Sequence, residues 1–205
     1  MEYIPFVLIG FGILAFTFLR TSKKSVTSQK EASDQFWQRE MKADTTRKKD
    51  LTDLNYIVFD YKKLPKIITD DTGIARYLST LSNLSEQKLL NLAGKTNTDL
   101  KLEYGRSNLQ FLMICDGNYI KLIQVLHQLG KRLLDLGFKE EAMKVFEIEL
   151  ECESDIVDTF KTLFQYYETN HQSDKIQNLI LLSEKLEKTR KDKVSEFINK
   201  YEHNN

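Results

Sequence analysis

Residues 123–156 read IQVLHQLGKRLLDLGFKEEAMKVFEIELECESDI, and this stretch decides the fold class. Ile123, Leu126, Leu129 and Leu133 recur at the three-to-four-residue spacing of one helix face. Gly137 breaks the chain, and Glu140-Glu141-Ala142 opens a second helix that carries Phe146 and Leu150. Acidic residues in a first turn complement the positive end of the helix dipole. The small residues Gly130 and Ala142 let two antiparallel helices approach closely. The stretch predicts a helical hairpin and an all-α protein.

The hairpin resembles a tetratricopeptide repeat, on Leu129-Gly130 in the first helix, Gly137 at the turn, and Ala142 with Phe146 in the second. It departs from that pattern at Leu126, where the repeat carries an aromatic, and at Ser154, where it closes on proline. A shift of 34 residues gives a degenerate copy at 157–190. Phe160, Leu163, Tyr167, Ile176 and Ile180 keep the apolar positions, while Phe164 and Ile176 replace the Gly and Ala marks. A shift the other way, to 89–122, matches only Leu92 and Leu112. Such repeats normally need three copies for stability, so the helices at 71–116 and 189–203 are expected to serve as caps. The expected architecture over 67–205 is an α-solenoid of antiparallel helix pairs. Its competitor is an irregular helical bundle.

Working outward, periodicity places helices at 118–136, 138–152, 155–169 and 173–188. A charged last helix at 189–203 carries Val194, Phe197, Ile198 and Tyr201 on one face. Upstream, Asp71-Thr72 caps a helix to about Ser82 with Ile74, Tyr77, Leu78 and Leu81 on one side. Ser85 with Leu89, Leu90, Leu92 and Ala93 suggests a further helix stopping at Gly94. Residues 95–106 read as a polar break in which Asn97, Thr98 and Asp99 cap a bent loop, and 107–116 as a short helix. Residues 54–59 (LNYIVF) favour an extended strand. Alone it cannot make a sheet, so 51–66 is expected to cross the helical domain as an extended tie, ended at Leu64-Pro65.

Residues 3–19 (YIPFVLIGFGILAFTFL) hold 13 apolar side chains in 17 and no charge. At 1.5 Å per residue they span about 25 Å, close to a hydrocarbon core of about 30 Å. Only Glu2 is charged before the run and no small-residue cleavage pattern follows Ala15, so 1–21 reads as a retained anchor rather than a cleaved signal. Arg20, Lys23 and Lys24 follow it, and basic flanks stay cytoplasmic. The expected localisation is a single-pass cell-membrane protein, N-terminus outside, with the C-terminal domain in the cytoplasm. The bilayer is one expected partner, through residues 3–19. Residues 22–50 form a basic juxtamembrane linker and an amphipathic helix at 31–49, with Ala32, Phe36 and Ala43 near one face and Trp37 and Met41 beside it. Phe36 and Trp37 are candidate docking aromatics. They would lie on the membrane interface or dock onto the downstream domain or a partner.

The whole chain of 205 residues holds 30 basic and 30 acidic side chains, two prolines and two cysteines. These values exclude collagen-like, disulfide-scaffold and strongly charged disordered classes. The zero net charge gives no case for nucleic acid as a partner. Segmented, residues 20–50 carry a net +4 and residues 51–205 a net −3. Cys115 and Cys152 read as buried reduced thiols. His127, His171 and His203 are isolated, and no zinc spacing, phosphate loop or nucleophile elbow occurs, so no metal, cofactor or catalytic residue is expected.

A binding surface remains. In a tetratricopeptide-like pair the first helix of each repeat lines the concave side. That face would carry Gln124, His127, Lys131 and Asp135, then Asp158, Lys161, Gln165 and Glu168. The wider chain resembles a group of uncharacterised bacterial single-pass membrane proteins with a tetratricopeptide-like cytoplasmic domain. The resemblance is carried by the N-terminal span, Phe36-Trp37-Gln38-Arg39-Glu40, Leu54-Asn55-Tyr56-Ile57, Asn97 to Leu102 with Tyr104-Gly105, and the repeat from Leu129. It implies location and fold and no chemistry. The expected function is a membrane-tethered, non-enzymatic scaffold or adaptor that binds a protein or peptide. The alternatives are an envelope chaperone-like accessory with the domain outside, and an enzyme with an unrecognised site.

Overall fold

The computed structural model describes residues 30–204. The expected span at 3–19 and the topology residues Arg20, Lys23 and Lys24 lie outside them. Among the described residues no helix is long and apolar enough to cross a membrane. The described chain is helical, and its only β pairing is an isolated bridge between Ile57 and Leu89. It forms two compact units. Within the described residues, one takes in 30–52 and 94–110, the other 53–93 and 111–204.

In the first unit, α1 (30–45) packs on α3 (Asn97–Tyr104). The polar stretch expected as a break starts this second helix. Thr96 is its N-cap, and Thr96 and Asp99 exchange side-chain and backbone hydrogen bonds as a capping box. Ala43 of α1 is fully buried, and charged contacts surround it. Glu40 accepts from Thr98 and Lys101, Asp44 accepts from Lys101 at 2.9 Å, and Arg39 pairs with Asp99 at 2.5 Å. The inward side of α1 is therefore ionic rather than aromatic. Phe36, Trp37 and Met41 stay 54%, 61% and 63% exposed, with the two rings edge-to-face at 5.4 Å.

The second unit holds α2 (Thr72–Ser85), α4 (Leu109–Asp135) from Phe111 onward, α5 (Lys139–Glu151), α6 (Val157–Thr169), α7 (Ser173–Ser183) and α8 (Lys188–Asn204). Asp71 caps α2 by accepting from the Ile74 amide, and Arg132 grips the same carboxylate with two nitrogens. One apolar core runs through Ile74, Leu81, Leu122, Leu126, Leu129, Leu133, Val145, Phe146, Phe160, Leu163 and Phe164. Phe164 also meets Phe197 and Tyr201 of α8 edge-on. The segment around Ile57 alternates as an extended chain does: Phe59 is buried and Val58 is 88% exposed.

Several expected boundaries change; α1 ends at 45 rather than 49, and α7 at Ser183 rather than 188. The helix expected over Ser85–Ala93 is instead a turn at Glu86–Gln87 followed by non-helical chain through Leu92. Leu89 O accepts from Ile57 N, Leu90 N donates to Cys115 O, and Leu92 N donates to the Asp116 carboxylate. The helices expected at 107–116 and 118–136 are the single 27-residue α4 after a 3₁₀ turn at Arg106–Asn108. Gly117 lies inside α4 and does not break it.

The hairpins α4–α5 and α6–α7 share a backbone register. Helices α5 and α7 begin 34 residues apart, at Lys139 and Ser173. The turns before them match: Gly137 (φ 85°) and His171 (φ 54°) are left-handed, and the next amides, Phe138 and Gln172, each donate to a carbonyl five residues back at 2.9 Å. At Gly130 an added Cβ would lie 2.7 Å from Phe146 Cζ, and Ala142 is fully buried.

Candidate functional site

One face of α4 collects residues at spacings of three and four: Met113, Gly117, Ile120, Gln124, His127, Lys131 and Asp135. Its second half holds the polar groove residues expected from the sequence. Gln124, Lys131, Asp135, Asp158 and Gln165 are exposed; His127, Lys161 and Glu168 are half-buried. The structure brings three of them together. Lys131 Nζ donates to Asp158 Oδ2 at 3.1 Å, and His127 Nε2 lies 3.7 Å from the same oxygen. Lys161 turns instead to α8, where its ammonium sits 5.1 Å from the Phe197 ring centre.

The first half of the face is apolar. Met113, Ile114 and Ile120 are 51%, 55% and 47% exposed, and a Cβ on Gly117 would meet no atom within 4 Å. Sequence reasoning missed this stripe because it divided α4 at Gly117 and so lost the phase joining Met113 to Gln124. The signal was present: Met113, Ile120, Gln124 and Lys131 keep helical spacing across the glycine.

Beneath the polar half lies a closed network. Glu149 of α5 is fully buried; its Oε1 accepts from Ser154 Oγ at 2.7 Å and Thr159 Oγ1 at 2.8 Å. His127 Nδ1 stands 3.1 Å from Thr159 Oγ1 and 3.4 Å from Glu149 Oε2, an oxygen with no hydrogen-bond partner. The Thr159 proton goes to Glu149, so its oxygen is the acceptor for a proton on His127 Nδ1. Ser154, where the repeat pattern would close on proline, thus has a polar task. Glu149 was missed because a lone acid in a charged sequence reads as solvent-facing. Its phase gave it away, three residues after buried Phe146.

His127 therefore has a carboxylate on each side, as an acid–base site would need. Glu149 is sealed from solvent, so only the His127 edge and Asp158 face outward. The cluster ties helices α4, α5 and α6 together and orients the His127 ring beneath the Lys131–Asp158 pair. Among the described residues no cluster of three or more His, Cys, Asp or Glu is placed to hold a metal ion.

Cys115 and Cys152 are free and buried. Burial pushes both thiols up, Cys152 to about 12, aided there by the Glu151 carboxylate. Neither is a thiolate at neutral pH. Burial also raises the Tyr119 phenol, whose hydroxyl donates to Glu153 O at 2.8 Å.

No protein-family model, curated protein or solved structure matches this chain.

Proposed function

We propose that the chain is a membrane-tethered, non-enzymatic interaction module. Its second unit would work at the cytoplasmic face as a tetratricopeptide-like array and bind a protein or peptide along α4. The observation that carries this reading is the continuous α4 face, with exposed Met113, Ile114 and Ile120 leading into Gln124, His127, Lys131 and Asp135. Exposed apolar side chains contiguous with oriented polar ones suit a segment that anchors an apolar residue and is then held by hydrogen bonds. The repeat reading is supported by the common register of the two hairpins. The tether rests on the apolar run at 3–19 and its basic flank.

A photo-crosslinking residue placed at Ile120 of the full-length chain in its native membrane tests the groove. A discrete adduct is expected there and not at Gln177, an exposed position on α7, and Lys131→Glu should abolish it. Equal labelling at both positions, or an adduct indifferent to Lys131→Glu, overturns the groove. A reporter fused to the C-terminus tests the topology. An external signal would replace the cytoplasmic reading with the envelope-accessory one.

A further inference from the structure

We infer that α1 carries a lipid-contacting surface, in which Phe36, Trp37 and Met41 enter the interface of an anionic bilayer. The inference rests on the tethered reading and goes beyond it by assigning a second, peripheral membrane contact. Three large apolar side chains within six residues are each more than half exposed on an otherwise polar helix. Rolling the helix to cover them is opposed by the contacts that α1 makes with α3. Ala43 is buried there, and Glu40, Asp44 and Arg39 are engaged with Lys101, Thr98 and Asp99.

The same pairing takes the Glu40 and Asp44 charges out of competition. Around the aromatics, Lys30 and Lys42 are exposed, and Arg47, Lys48 and Lys49 follow the helix. Residues 20–50 carry a net +4 in all. Basic side chains are drawn to an anionic surface, and tryptophan with phenylalanine suits the headgroup level. The exposed acids that oppose this attraction are Glu31, Asp34 and Asp50, and Asp34 shares the helix face of Trp37 and Met41.

Nine residues lie between Arg20 and Lys30, at most about 3.6 Å each, which bounds the distance of α1 from the end of the apolar run. A protein partner fits less well, because three side chains on two turns are far below the roughly 800 Å² per partner of a stable interface.

Trp37 is the only tryptophan in the chain, so its fluorescence reports this surface alone. The full chain is reconstituted in vesicles of phosphatidylglycerol and phosphatidylcholine. Expected are blue-shifted emission and quenching by chain-brominated lipid, both reduced in pure phosphatidylcholine and in high salt. Asp34→Lys should increase quenching and Phe36→Glu should decrease it. Emission that stays red and open to aqueous iodide, in vesicles from which carbonate does not extract the chain, overturns the inference and leaves the tether standing. Extraction together with retained quenching would remove the tether and keep the lipid surface. Extraction without quenching overturns both.

Discussion

At Gly130 the lack of a side chain sets how closely α4 and α5 can pack, because the Phe146 ring occupies the place of a Cβ. Gly130→Ala is expected to destabilise the second unit by about 1–3 kcal/mol, the cost of overpacking a filled core. Urea denaturation reads this, and Phe146→Leu in the same chain should recover part of the loss. Thr159→Val keeps the shape and removes the hydroxyl that joins Glu149 to His127. Leaving those buried groups underbonded should cost about 1–3 kcal/mol by the same measurement. The two residues differ in how far the sequence announces them. Gly130 and Ala142 are visible as small residues in facing apolar stripes. Glu149 is not, because its partners come from His127 on one helix and Thr159 on another, and only folding brings them within reach.

At the scale of elements, the α1–α3 contact is ionic and so depends on pH. The Lys101 ammonium, by hydrogen bonding first, holds the Glu40 and Asp44 carboxyls below their ordinary values, and the Thr96 hydroxyl does the same for Asp99. Carboxyls depressed on folding stabilise fully above the ordinary carboxylate range, and that contribution is lost as pH falls through their folded values. Amide protection in α1, measured relative to the intrinsic exchange rate at each pH, should therefore fall on acidification, and in Lys101→Met it should already be low at neutral pH. Unchanged protection in both cases would mean that Ala43 alone holds the helix. The sequence makes α1 legible as a helix with Ala43 on one face, but not the ion pairs that hold it, because Lys101 and Asp99 come from a distant segment. Helix α4 shows a second limit. A glycine costs only about 1 kcal/mol in a helix interior, and buried neighbours at Leu112, Cys115, Tyr119 and Leu122 outweigh it. Residues 86–93 show a third. Leu89, Leu90 and Leu92 suit a helix or an extended chain equally, and the choice falls to a bridge with Ile57, far away in sequence.

Across the molecule, the all-helical class and the 34-residue spacing are readable because both follow from local periodicity. The two-unit division is not readable, because residues 94–110 join 30–52 across an intervening stretch. Both cysteines belong to the second unit and are sealed in it. In native buffer they should resist a thiol reagent that labels them at once in denaturant. Rapid labelling of either in the native state would contradict the packing around Cys115 and Cys152.

The Glu149 network gives the second unit a further property. Helical hairpins that touch only through apolar surface can come apart one at a time. Here a sealed carboxylate on α5 accepts a hydrogen bond from a hydroxyl on α6, while its other oxygen faces a ring on α4. Separating α6 from α5 would strip that carboxylate of a donor inside the core, so partial fraying is disfavoured and α4, α5 and α6 are bound into one cooperative block.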